Sequence, residues 1–131
     1  RLLFSIGTTH QEHLLAYQQA DLILDPFPHT GGVVCLEQLF MGVPMVTLYG
    51  TQPAGRTTSS VLTAMGRKDW IAYSQEDYIG IAVRLAGDTK QLNQVRKTLR
   101  QEFLESVVVK GYVQTVEAEY RKMWAIWAER R

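Results

Sequence analysis

The sequence predicts an α/β fold: a partial doubly wound (Rossmann-like) parallel sheet with a helical C-terminal tail. Three observations carry that expectation. Short apolar runs at Leu2–Ser5, Ala20–Asp25 and Val43–Gly50 alternate with segments of helical spacing, the order that builds right-handed βαβ units. The runs are continuous rather than alternating, as strands covered on both faces require. The back third of the chain has helical spacing throughout. A chain of 131 residues fits one domain with a sizeable core. We divide it into an α/β part, residues 1–72, and closing helices, residues 73–131.

Each element has a local reason. Leu2–Ser5 reads as a short buried strand and the following Ile-Gly-Thr-Thr as a turn. Thr9 with Glu12 three residues later fits a capping box, and Leu14, Leu15 and Tyr17 give the short helix an apolar face. Ala20–Asp25 is the second strand, ended by Pro26 and Pro28, which cannot continue a central strand. Val34, Leu36, Leu39 and Phe40 recur at three- and four-residue spacing and predict a helix over 33–41. Gly42 stands where a C-terminal glycine belongs, and Val43–Gly50 is the third strand. Residues 54–65 regain helical character until Gly66, and Asp69–Ser74 is a short extended piece. Ser74 with Asp77, and Asp88 with Gln91, cap two further helices, the second carrying Leu92, Val95, Leu99 and Phe103. A last helix runs from about Tyr112 to Trp127.

Composition narrows the class of function. Hydrophobic residues make up 46% and charged residues 21%, a globular balance, and a formal net charge of +1 favours neither nucleic acid nor an anionic membrane. The single cysteine, Cys35, excludes an internal disulfide and suits a reducing compartment. No apolar run approaches the roughly 20 residues that span a bilayer, and no secretory leader is visible. A cytoplasmic protein is the expectation. The chain opens at Arg1 directly in an apolar run, which reads as a piece of a longer polypeptide.

The stretch His29-Thr30-Gly31-Gly32 lies between the second strand and the helix that follows it. In an open parallel sheet, ligands bind beyond the carboxyl ends of the strands. Paired glycines allow positive φ and let a ligand approach the backbone without meeting a Cβ. The helix behind them presents unpaired N–H groups and a positive dipole end, an anion site suited to phosphate. Glu37, about one turn in, could accept bonds from a ribose diol. The residues alone leave a second reading open, a Gly-Gly turn that only permits tight packing. His29 equally fits a surface histidine, Glu37 a solvated carboxylate, and Cys35 a small core residue rather than a reactive thiol. His10 and His13 are three residues apart but lack the further ligands of a metal site. No G-x-S-x-G elbow is present.

The order of motifs goes further. Thr9-His10-Gln11-Glu12-His13, the run from Ala20 through HTGG to Gly50, Gly55-Arg56-Thr57-Thr58, and the closing Glu117-Ala118-Glu119-Tyr120-Arg121-Lys122-Met123-Trp124 resemble, in order, the C-terminal catalytic region of the O-linked N-acetylglucosamine transferase family and its SPINDLY-like relatives. The resemblance implies half of a GT-B glycosyltransferase, whose C-terminal Rossmann-like domain binds a UDP-sugar without a metal or other cofactor. Tetratricopeptide repeats ahead of the catalytic part would guide the protein acceptor. It also implies roles for single residues. Thr30, Gly31, Gly32, Val33 and Val34 match the segment holding the donor diphosphate, and Glu37 the acid that takes the ribose hydroxyls. Thr8 matches a backbone contact to uracil, His10 a ribose-side position and His13 a histidine packed near the base. Arg56 matches a family arginine that braces or lines the cleft, and His29 stands where it could line the same cleft.

This chain departs from the family where hydroxyl-bearing threonines give way to Val33 and Val34, and where an arginine near uracil gives way to Ala16. The resemblance places the phosphate-binding lysine, the acceptor site and the base ahead of Arg1, so no catalytic residue is assigned in this chain. Three functions follow. The first is the UDP-sugar-binding part of an enzyme that transfers a sugar, N-acetylglucosamine by resemblance, to protein serine or threonine, inactive by itself. The second is a non-catalytic binding or scaffold module derived from that family. The third is another GT-B sugar-nucleotide enzyme, such as an epimerase. Tyr112, Val113, Val116, Tyr120, Met123, Trp124 and Trp127 form a broad apolar stripe. It would pack on the chain's own sheet, meet the other domain of such an enzyme, or support a homodimer.

Overall fold

The computed structural model describes Phe4 and residues 7–130. The strand expected over Leu2–Ser5 lies outside the described residues apart from Phe4. The elements run α1 (His10–Ala16), β1 (Ile23–Leu24), α2 (Val33–Phe40), β2 (Met45–Leu48), α3 (Thr57–Ala64), β3 (Ile71–Ala72), α4 (Gln75–Gly87), α5 (Thr89–Glu105) and α6 (Tyr112–Glu129), with single 3₁₀ turns at Tyr17–Gln19, Pro53–Gly55 and Lys68–Trp70.

The strands form a parallel sheet in the order β1-β2-β3. Ile23 is in register with Met45 and Leu24 with Val46; Thr47 is in register with Ile71 and Leu48 with Ala72. Met45, Val46 and Thr47 are fully buried, as a strand covered on both faces requires. The edge strand β1 differs. It is two residues long rather than six, and Leu24 is 57% exposed. The 3₁₀ turn Tyr17–Gln19 precedes it, and after Asp25, whose amide still bonds the Val46 carbonyl, Pro26 has no N–H to carry the ladder on, so a continuous apolar run does not by itself mean a doubly covered strand.

Local chemistry sets the helix ends. Thr9 accepts the Glu12 amide, while the Glu12 carboxylate reaches back to the amides of Thr8 and Thr9, completing the expected capping box. Those bonds, from Thr8 above all, hold the Glu12 carboxyl below its ordinary pKa. Ser74 accepts from the Asp77 amide at 3.0 Å and Asp88 from the Gln91 amide at 2.9 Å. Gly42 ends α2 in the left-handed region with φ 76°. The core joins Leu39 of α2, Met45 and Val46 of β2, Leu62 of α3, Trp70, Ile71, Ile81 and Leu85 of the β3–α4 unit, and Leu99 and Phe103 of α5. α5 packs on α2 and α4, which fixes the base of α2 and therefore the position of its N-terminus.

α6 contributes nothing to that core. None of its residues is buried, and Tyr120, Met123 and Trp124 are each more than 60% exposed. The apolar stripe does not pack on the chain's own sheet. Gly111, the residue before the helix, is in the left-handed region with φ 78°.

Candidate functional site

Asp25 ends β1, the turn 26–32 follows, and α2 starts at Val33, with the Phe27–Pro28 peptide cis. The turn is tied down from three sides. Thr30 is buried, and both its amide and its hydroxyl donate to the Ala54 carbonyl, at 3.1 and 3.0 Å. The Gly31 amide donates to Asp25 Oδ1 at 3.0 Å, and the Thr58 hydroxyl donates to the Gly31 carbonyl at 3.3 Å. Gly55 and Gly50 make the docking of the 50–56 loop possible. A Cβ on Gly55 would stand 2.8 Å from the Pro28 carbonyl, and one on Gly50 would stand 2.8 Å from the Gly55 backbone. Arg56 braces the same loop, donating from Nε to the Gly50 carbonyl at 2.8 Å and from Nη2 to the Thr51 carbonyl at 3.0 Å. Its guanidinium also lies 4.9 Å from the centre of the Tyr49 ring.

These bonds divide the turn that the resemblance assigns to a diphosphate. Thr30 and Gly31 spend their donors inside the protein. The amides of Gly32, Val33 and Val34 donate to no group among the described residues, and they sit where an α-helix leaves its first N–H groups unpaired. Gly32 has φ −94°, and neither Gly31 nor Gly32 adopts the positive φ that paired glycines would allow. What Gly32 supplies is space, since a Cβ there would meet nothing within 4 Å. The Val33 side chain is 71% exposed beside these amides and offers no hydroxyl.

One turn into α2 the Glu37 carboxylate meets α1. His10 Nε2 lies 2.8 Å from Glu37 Oε1, and His13 Nε2 lies 3.3 Å from Glu37 Oε2. Tyr17, one helical turn past His13, brings its hydroxyl within 2.8 Å of His13 Nε2, and the two rings meet edge to face at 5.0 Å. Burial, and then the charge of Glu37, raise the Tyr17 pKa, so the phenol stays neutral around pH 7. Glu37 is therefore a bracketed carboxylate rather than a solvated one. Tyr17 was expected on the apolar face of α1, but its ring packs on His13 and its hydroxyl is bonded there.

The structure gathers His10, His13 and Glu37 into one cluster, with Gly32, Val33 and Val34 on the preceding turn of the same helix. Thr8 donates its amide and hydroxyl to Glu12 at 2.8 and 2.7 Å, capping α1. His29 is exposed on the turn. Cys35 is fully buried, donates to the Gly32 carbonyl at 3.0 Å, and has its thiol pKa pushed up chiefly by burial. It is a core residue. Sequence reasoning missed Asp25, whose only signal was a polar residue closing an apolar run. It also missed the pairing of Tyr17 with His13, which their four-residue spacing could have shown.

Comparison with known proteins bears on the family and the fold. A family model described as glycosyl transferase family 41 matches residues 1–116. The chain is 36% identical over 117 residues to a barley (Hordeum vulgare) protein named probable UDP-N-acetylglucosamine–peptide N-acetylglucosaminyltransferase SPINDLY, a match covering 88% of this chain and 12% of that protein. It is 32% identical over 126 residues to the Caenorhabditis elegans UDP-N-acetylglucosamine–peptide N-acetylglucosaminyltransferase, covering 95% of this chain and 11% of that one. A solved structure of a Thermobaculum terrenum O-GlcNAc transferase mutant superposes with a TM-score of 0.81 at 36% identity, over 89% of this chain and 23% of the other. The chain thus spans only a small part of the relatives it matches, and it shares with them a parallel α/β unit expected of half a GT-B fold. On these matches the chain belongs to glycosyl transferase family 41.

Proposed function

We propose that this chain forms the donor-binding part of a glycosyltransferase that moves a sugar, N-acetylglucosamine by likeness to its relatives, from UDP to serine or threonine hydroxyls of proteins. The carrying observation is the row of uncommitted amides at Gly32, Val33 and Val34 one turn ahead of the Glu37 carboxylate. Those amides and the positive end of α2 hold the diphosphate, and they stabilise its growing charge as the bond to the sugar breaks. Glu37 exchanges His10 for a ribose hydroxyl, and His13, steadied by Tyr17, packs beside the base. Thr30 acts indirectly, because its donors fix the turn against Ala54. Arg56 and Thr8 brace the 50–56 loop and α1. His29 lines the outer side of the turn. Positive potential at the phosphates comes from the backbone, so this reading needs no metal ion.

The acceptor site and the base that activates it belong, in this reading, to other parts of a longer enzyme. The purified chain therefore binds UDP and does not turn over. Incubation with UDP-N-acetylglucosamine and a peptide acceptor should release no UDP above the rate without chain; steady release that depends on peptide would contradict the division of labour. Val33 and Val34 favour a second reading, a binding module that has kept the family fold without its chemistry. The two part on affinity, since a module of that kind would show no UDP binding even at millimolar nucleotide.

A further inference from the structure

Asp25 is the one buried carboxylate among the described residues, 2% exposed. No lysine, arginine or histidine among those residues pairs with it. A buried carboxylate is costly unless hydrogen bonds satisfy it. Here Oδ1 accepts the Gly31 amide at 3.0 Å and Oδ2 accepts the buried Thr47 hydroxyl at 2.6 Å. Its own backbone is pinned as well. The Asp25 amide donates to the Val46 carbonyl at 2.9 Å, and the Tyr78 hydroxyl of α4 donates to the Asp25 carbonyl at 2.9 Å. Strand end, neighbouring strand, α4 and turn therefore meet at one residue, and its side chain grips the turn immediately before the three uncommitted amides.

We infer that Asp25 is the positioning residue of the phosphate turn, an inference that rests on reading that turn as the diphosphate cradle. Holding the Gly31 amide inward fixes the peptide planes of Gly32, Val33 and Val34 at the mouth of α2. Asp25 touches no ligand. Its negative charge also lies behind the cradle, so what the site needs from this position is the acceptor oxygen and not the charge. Asparagine can supply that oxygen; alanine cannot.

The test uses the whole 131-residue chain as wild type, Asp25→Asn, Asp25→Ala and Thr47→Val, followed by amide-resolved NMR. Without ligand, the Gly31 amide should exchange with solvent about tenfold more slowly than those of Gly32 and Val33 in wild type, the protection expected of a bond to a charged acceptor, and severalfold more slowly in Asp25→Asn, whose acceptor oxygen is neutral. Thr47→Val, which removes the other grip on the carboxylate, should speed Gly31 exchange while the amides of β2 keep theirs. It remains informative if Asp25→Ala does not fold. With ligand, Asp25→Ala should lower affinity for UDP by about tenfold relative to uridine, and Asp25→Asn should keep the wild-type ratio. Rapid Gly31 exchange in the wild type, or an Asp25→Ala variant that loses UDP and uridine binding by the same factor, would overturn the inference. Failure of the wild type to bind UDP at all would instead sink the nucleotide reading, while the exchange data still decide whether Asp25 sets the turn.

Discussion

Asp25 and Glu37 are both carboxylates close to the start of α2, and the fold uses them in opposite ways. Asp25 is buried and spent on a backbone amide and a hydroxyl, whereas Glu37 keeps an accessible face between two imidazoles that a ligand hydroxyl can displace. The sequence showed Glu37 as a candidate because its position relative to the glycines is a local, helical fact. Asp25 was illegible because its partners, Gly31, Thr47 and Tyr78, come from three elements that only the fold brings together. Glu102 shows the same residue-scale logic in a testable form. Burial works to raise its carboxyl pKa, but the Thr98 hydroxyl at 2.6 Å and Arg67, with Nε at 3.0 Å, hold it below the ordinary value. A carboxyl depressed in the folded state stabilises the chain above its unfolded pKa, near 4.5, and loses that contribution as pH falls through the folded one. Glu102→Gln should therefore be less stable than wild type at pH 7, by about 0.5–1 kcal/mol for so solvent-screened a pair, and the gap should close below the carboxylate range. Denaturant midpoints at several pH values check this, and a gap that widens on acidification would contradict it.

At the scale of elements, caps were legible and strand limits were not. Thr9, Ser74 and Asp88 mark helix starts through bonds to residues three positions on, so a short sequence window contains the whole cause. β1 is bounded by a 3₁₀ turn before it and by Pro26 just after Asp25, and the apolar run shows only the second limit. The paired glycines were read for their freedom of φ, whereas their use lies in Gly32's open flank and Gly31's inward amide. α2 itself offers the clearest substitution. Val33 and Val34 are exposed at its first turn. Val33→Thr with Val34→Thr would add hydroxyl donors beside the three amides without disturbing the core. We expect the double variant to bind UDP about tenfold to a hundredfold more tightly, as one or two hydrogen bonds to a charged group imply. Calorimetry reads the change directly, and unaltered affinity would place the diphosphate elsewhere.

On the scale of the whole molecule, the chain has a well-packed sheet and one long helix outside it. Val113, Val116, Tyr120, Met123 and Trp127 repeat at spacings of three and four along α6, a seam of the kind that pairs helices, and Trp124 packs on Trp127 with ring centres 5.0 Å apart. The periodicity was legible in the sequence, but that α6 stays outside the core was not, because burial depends on partners from distant parts of the chain. We expect the isolated chain to self-associate through this face at micromolar concentration, and Trp124→Ala to weaken the association without lowering the thermal midpoint of the α/β core. A monomer by light scattering, unchanged by that substitution, would be the contrary result. The donor site itself is open to one direct measurement, titration of the isotope-labelled chain with UDP followed by amide chemical shifts. Saturable shifts confined to the amides of Gly32, Val33, Val34 and Glu37, with His10 and His13 on the facing helix, are the result expected of a UDP site at the start of α2. Shifts that cluster on another face, or none at millimolar UDP, would contradict it.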